Sequence, residues 1–290
     1  MLSITFVSEY RCDYKTSGMR RQRKANTLRS RADRIAHALA FIAVAATPAY
    51  PQSLSVAEAL DALVAAYPHA LIRHDGRMLY WKDGTVMPAL DSGGDKSFQQ
   101  LLRHPSIIDQ FRLPYPRGPL RSSPELDIDP GRFRNIPFFK KMYGSCDNGE
   151  VSVRLTPIAW LSNTWGKPIR ITSVNHIDEH LSAVSREIDA LPDKIKRAAY
   201  PPAGTYNCRA VEDTGQLSPH AFGIAIDLNL AISDYWYWAP HSRIIPYKNR
   251  MPGQIVEIFE KHGFIWGGKW YHYDTMHFEY RPELLTVPQR

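Results

Sequence analysis

Cysteine is scarce in this chain, three in 290 residues and none in a C-x-x-C pair, so a thiolate zinc knuckle is not supported. The apolar run Ile35–Ala46 has twelve residues, short of the roughly 20 that a helix needs to span a bilayer. No G-x-S-x-G elbow is present, so a nucleophilic triad of Ser218, His220 and Asp227 lacks its turn. Positive charge is also missing from the body of the chain. The formal net charge is +7, but residues 1–49 hold nine Lys/Arg against three acids, leaving 27 bases and 26 acids after them. A near-neutral body gives no case for a nucleic-acid partner. With 44% hydrophobic residues, a wholly disordered chain is excluded and one large or two ordinary domains are expected.

The first 49 residues read as an address. Seven bases between Arg20 and Arg34 precede Ile35–Ala46, and Thr47-Pro48-Ala49 ends on a small residue, the layout of a cleavable secretory signal. The polar stretch before Met19 adds nothing to it, so Met19 is an alternative start. A basic amphipathic helix or uncleaved anchor is the competing reading. Cys12 would leave with the leader, and the mature chain would keep Cys146 and Cys208. In an oxidising compartment these form either a disulfide or two buried thiols.

Residues 53–66 carry apolar positions at helical spacing behind Ser53 or Ser55, which predicts a capped helix. Two short strand-like runs, Ala70–Arg73 and Met78–Trp81, flank His74-Asp75-Gly76 as a hairpin. From Pro114 to Pro137 prolines recur and periodicity fails, which predicts an extended wrapping segment or linker. After Cys146, strands are expected at Val151–Leu155, Ile169–Val174 and Gly223–Asn229, and helices at Ile177–Leu191 and Pro252–His262. An aromatic, strand-like run with a Gly267-Gly268 turn follows from Phe264 to Tyr280. Strands and helices that do not alternate regularly predict an α+β fold.

Chemistry concentrates in two motifs. In Ser218-Pro-His220-Ala-Phe-Gly223-Ile-Ala-Ile-Asp227, neither one helix nor one continuous strand lets His220 and Asp227 reach a common ion. His220 is therefore expected on a loop entering the strand, with Gly223 at the bend. In Asp274-Thr-Met-His277 a bend must likewise bring the two side chains to one site. A hydrolytic zinc site takes three protein ligands plus water, with a carboxylate to receive the proton. His220, Asp227 and His277 can supply the ligands, which leaves Asp274 for the base. His176-Ile-Asp-Glu-His180 also spaces two histidines by four, but its Glu is misplaced for a zincin, and it reads as an exposed helix end. His272 reads as a supporting or packing residue, Glu279 and Tyr280 as the end of a strand, and Tyr235–Trp238, Trp266, Trp270 and Tyr271 as lining for a cleft or as core.

Ser-x-His-x-x-Gly-x-Ala-x-Asp followed by Asp-x-x-His resembles peptidase family M15, the zinc D-Ala-D-Ala carboxypeptidases and L-Ala-D-Glu endopeptidases of bacterial cell walls, and within it the endolysin-like branch. The resemblance covers about residues 146–290. It implies a hedgehog/DD-peptidase-type α+β domain with Zn2+ held by His220, Asp227 and His277, Asp274 as base, and Arg209 in Tyr206-Asn-Cys-Arg209 contacting substrate. The expected organisation is a leader (1–49), an N-terminal extension (50–145) and a peptidase domain (146–290). The protein is then periplasmic or secreted in the bacterial cell envelope, meets the membrane only through its signal, and acts on peptidoglycan stem peptides. The alternative is a non-catalytic binder of cell-wall peptide that retains the fold.

Overall fold

In the computed structural model, residues 54–239 and 244–287 are described; the leader expected over 1–49 lies outside them. Helix α1 (Val56–Ala66) starts where Ser55 and Glu58 form a reciprocal capping box, the Ser55 hydroxyl accepting from the Glu58 N–H and the Glu58 carboxylate accepting from the Ser55 N–H. Its Ala59, Leu60 and Leu63 are buried. The hairpin follows as expected: β1 (Leu71–His74) pairs antiparallel with β2 (Met78–Trp81), and β3 (Val86–Pro88) adds to the far edge. Asp75 closes the turn by accepting from the N–H groups of Arg77 and Met78. Helix α2 (Phe98–Arg103) has its own capping box at Ser97 and Gln100. No regular element separates Phe111 from α3 (Ile136–Tyr143), whose cap is Asn135.

The strand expected at Val151–Leu155 is displaced. Ser152–Arg154 is a turn of 3-10 helix, and β4 runs from Leu155 to Ala159. The apolar alternation there was misleading because Val153 is 85% exposed and joins no core. Strand β5 (Pro168–Thr172) pairs with β4 over its full length. Helix α4 (Ile177–Asp189) buries Ile177, Leu181, Val184 and Ile188, the face the periodicity marks. After the short α5 (Asp193–Lys196) come β6 (Ala225–Asp227), α6 (Gly253–Lys261), β7 (Phe264–Trp266), β8 (His277–Tyr280) and α7 (Pro282–Thr286). Strand β8 lies between β6 and β7 in a three-stranded antiparallel sheet. Helices packed on small antiparallel sheets make this an α+β fold.

The described residues form one compact unit, and those before 146 share a hydrophobic core with those after it. The hydroxyl of Tyr67, the residue that follows α1, donates to Glu283 of α7 at 2.7 Å. Tyr115 donates to Glu260 of α6 at 2.7 Å and accepts from the Trp266 N–H at 2.9 Å. Lys269, almost fully buried, donates to the carbonyls of Pro116 and Gly118 and pairs with Glu260. The proline-rich segment thus runs as a strap fastened along β7 and the loop after it. Among the described residues, no helix is long and apolar enough to cross a membrane.

Candidate active site

His220 sits in one turn of 3-10 helix, Pro219–Phe222, started by the Ser218 side chain and stopped at Gly223. Gly223 has φ +66°, and a Cβ there would lie 2.6 Å from Leu155 Cδ2, so the bend needs glycine twice over. The chain then enters β6, where Asp227 stands directly opposite His277 of β8. Cross-strand partners project on the same face with their Cβ atoms close together, so sheet register alone sets these two side chains side by side. The turn before β6 brings His220 to them. On the other side, the His277 N–H donates to the Asp274 carbonyl at 3.3 Å, which is the bend that Asp-x-x-His requires. Gly267 lets that loop close back, since its carbonyl accepts from the Asp274 N–H and a Cβ on it would meet the Asp274 carbonyl oxygen at 2.6 Å.

Three atoms able to ligate a metal ion converge here. His220 Nε2 is 3.2 Å from His277 Nδ1 and 3.1 Å from Asp227 Oδ1, and the last two are 3.0 Å apart. Four-coordinate zinc with bonds of about 2.0–2.1 Å separates its ligands by roughly 3.3–3.4 Å, so the triangle suits one such ion. The outer ring nitrogens have their own partners: His220 Nδ1 lies 2.8 Å from the Thr205 carbonyl and His277 Nε2 lies 3.0 Å from Glu279. Each partner can take the outer N–H, so that in the neutral ring the inner nitrogen's lone pair faces the common centre.

Burial by itself would lower the His277 pKa, but hydrogen bonds to carboxylates on both ring nitrogens raise it to about 10. Asp227 is held far below the ordinary carboxylate range because His220 and His277 outweigh its burial. Asp274 moves the other way, to about 6, through burial and then the neighbouring charge of Asp227. Its Oδ1 is buried with no hydrogen-bond partner among the described residues. A buried carboxylate oxygen left unsatisfied beside three metal-type donors is able to accept a proton from a water or substrate.

Glu279 holds a larger role than ending a strand. Two residues after His277, it projects on the same face, is fully buried, and is gripped by Arg134 at 2.6 Å and Arg281 at 3.2 Å. Arg281 pairs onward with Glu283, which accepts from Tyr67. Strand parity could have found Glu279 in the sequence. Arg134, 145 positions away, left no such signal.

The pocket at this site measures about 300 Å³. Arg209 lines it, exposed, its only side-chain hydrogen bond among the described residues going to the Ala210 carbonyl at 3.4 Å. The segment after it turns back through an Ala210–Leu217 bridge, which brings Arg209 and His220 to one cleft. Cys146 and Cys208 form a disulfide that ties down the residue preceding Arg209. Of the aromatics, Tyr235, Trp236, Trp238 and Trp270 line the pocket. Trp266 and Tyr271 are buried outside its lining. His176 and His180 do not converge: His176 is exposed against Glu179, and His180 packs on Tyr280.

Residues 212–280 match a protein family described as D-alanyl-D-alanine carboxypeptidase. The matched stretch, about a quarter of the chain, is similar to the M15 peptidases. The matched segment holds His220, Asp227, Asp274 and His277 and begins three residues after Arg209. Searches of curated proteins and of solved structures return no match. The family supports a peptidase, in keeping with a pocket that joins a metal-type donor set to a carboxylate.

Proposed function

We propose that this protein is an exported zinc peptidase of the M15 type that hydrolyses peptide bonds in peptidoglycan stem peptides. The observation that carries the reading is the His220–Asp227–His277 triangle at 3.0–3.2 Å beside the unpartnered oxygen of Asp274, all within the family-matched segment. Two neutral imidazoles and a carboxylate are a donor set that zinc favours. Bound there, zinc supplies Lewis-acid polarisation of the scissile carbonyl and a lowered pKa for the attacking water. Asp274 receives the proton from that water and returns it to the leaving amine. Glu279, braced by Arg134 and Arg281, keeps the His277 ring turned with Nδ1 inward. Arg209 has no carboxylate partner among the described residues, which leaves its guanidinium for a substrate carboxylate or carbonyl. The Cys146–Cys208 disulfide supports export to an oxidising compartment, periplasmic or extracellular.

The metal is tested by elemental analysis of the purified chain and of two variants. One zinc per wild-type chain is expected, with His220→Ala and His277→Ala each losing it. Full metal retention in both variants overturns the assignment.

A further inference from the structure

Tyr235, Trp236 and Trp238 line the pocket, yet among the described residues none of the three joins a hydrophobic core. Trp238 is 57% exposed. Their backbone is nevertheless fixed to the loop that carries Asp274. Tyr235 forms a bridge with Asp274, the Trp236 N–H donates to the Tyr273 carbonyl at 2.9 Å, and the Trp238 N–H donates to the Tyr235 carbonyl at 3.0 Å. The rings also hold one another: Tyr235 meets Trp238 edge to face at 5.7 Å and Trp236 at 6.2 Å. Trp236 in turn meets the ring of His272 edge to face at 4.9 Å, and Asp129 holds that imidazole at 2.7 Å. An indole left in water forfeits the stabilisation of burial, and one already fixed in place loses little further freedom when a ligand covers it. The loop after Arg209 adds Glu212, Thr214 and Gln216 to the same lining. A large apolar ring bordered by polar groups marks a binding surface.

We propose that Trp238, with Thr214 and Gln216, forms a subsite for the amino-sugar rings that carry the stem peptide, so that the substrate is a glycan-linked peptide. The inference rests on the peptidase reading above and deepens it. A stem peptide by itself offers an indole little: its side chains are methyl groups, carboxylates and an amine. A pyranose ring has an apolar face of C–H groups and a polar edge of hydroxyl and acetamido groups. The face suits an aromatic ring. The edge suits a hydroxyl and a carboxamide, which both donate and accept hydrogen bonds. A peptide ammonium also sits well on an indole, but it has no use for donors. Trp238 shares its pocket with Asp274 and the three converging metal-type donors, so a sugar stacked on it stays within reach of a peptide whose scissile bond is in the cleft.

The test gives the zinc-loaded full chain two substrates, a disaccharide pentapeptide and the same pentapeptide without its sugars. The wild-type KM should be lower for the sugar-bearing one. Trp238→Ala should raise that KM about tenfold, the worth of one well-stacked ring, and raise the KM for the bare peptide much less. Trp238→Phe should recover part of the loss, with zinc and Tm kept in both variants. Calorimetry with a tetrasaccharide of N-acetylglucosamine, which carries no peptide, should show binding to the wild type and about tenfold weaker binding to Trp238→Ala. Equal wild-type KM values for the two substrates overturn the proposal and leave the peptidase reading standing. Equal losses on both in Trp238→Ala do the same, and would place a peptide group such as an ammonium on the indole. A wild-type chain that cleaves neither substrate overturns the peptidase reading, and the calorimetry then decides the sugar subsite by itself: no binding of the tetrasaccharide, or equal binding by Trp238→Ala, overturns it.

Discussion

At the scale of single residues, His277 is the group whose protonation the proposed zinc would have to change. His277 has carboxylates on both ring nitrogens, and these hydrogen bonds raise its pKa to about 10 against the opposing effect of burial. Without metal it therefore holds both protons at pH 7. Zinc needs the Nδ1 lone pair, so that proton must leave on binding. Because the free form binds the extra proton, acid disfavours zinc: between pH 7 and 9, above the value near 6 for Asp274, affinity should rise about tenfold per pH unit. Calorimetry in two buffers of different ionisation enthalpy should find about one proton released per zinc, and no release would mean that His277 Nδ1 is not a ligand. Arg209 raises a separate question, the identity of the bond cut. A guanidinium grips a carboxylate with two parallel hydrogen bonds that lysine cannot reproduce. If the substrate ends at a free D-Ala carboxylate, Arg209→Lys should impair turnover of the free acid far more than of the amidated peptide. Equal impairment would indicate an endopeptidase that uses Arg209 on a backbone carbonyl, and unchanged kinetics on both would place Arg209 outside the site.

At the scale of elements, two tight turns deliver functional groups to a three-stranded sheet. The Asp227–His277 register could be anticipated because both residues lie in short alternating runs, and His220 because neither helix nor strand geometry allowed it to meet Asp227 without a bend. Glu279 was equally accessible by parity yet reads as an ordinary strand end when only ligand types are sought. Val151–Leu155 was misread because five residues of alternation do not distinguish a strand from a turn with one exposed valine. The turn carrying His220 offers a direct test. Gly223→Ala combines a disfavoured positive φ with a Cβ 2.6 Å from Leu155 Cδ2, a strain worth about 1–3 kcal/mol. Chemical denaturation should show that loss, and zinc affinity should fall with it because His220 lies in the same turn. A variant of wild-type stability would show that the bend does not depend on glycine.

At the scale of the whole molecule, the strap and the helix before it bind the N-terminal stretch to the site in ways sequence order conceals. Arg134 braces Glu279 and Asp129 holds His272 across separations of 145 and 143 residues, and contacts so distant leave no periodic trace in a single chain. The absence of regular structure between Pro114 and Pro137 was legible from its prolines, but its contacts with β7, β8 and the loop between them were not. The shared core makes the chemistry a property of the whole compact unit, so the decisive measurement uses the intact protein. The full chain, loaded with zinc, is incubated with peptidoglycan sacculi and the released muropeptides are analysed by mass. The account predicts products in which one stem-peptide bond has gained a water, and a loss of that activity by about 10² to 10⁴ in Asp274→Asn while its zinc is kept. Muropeptide masses left unchanged by a wild-type chain carrying one zinc would contradict it, and would favour a protein that binds cell-wall peptides without cutting them.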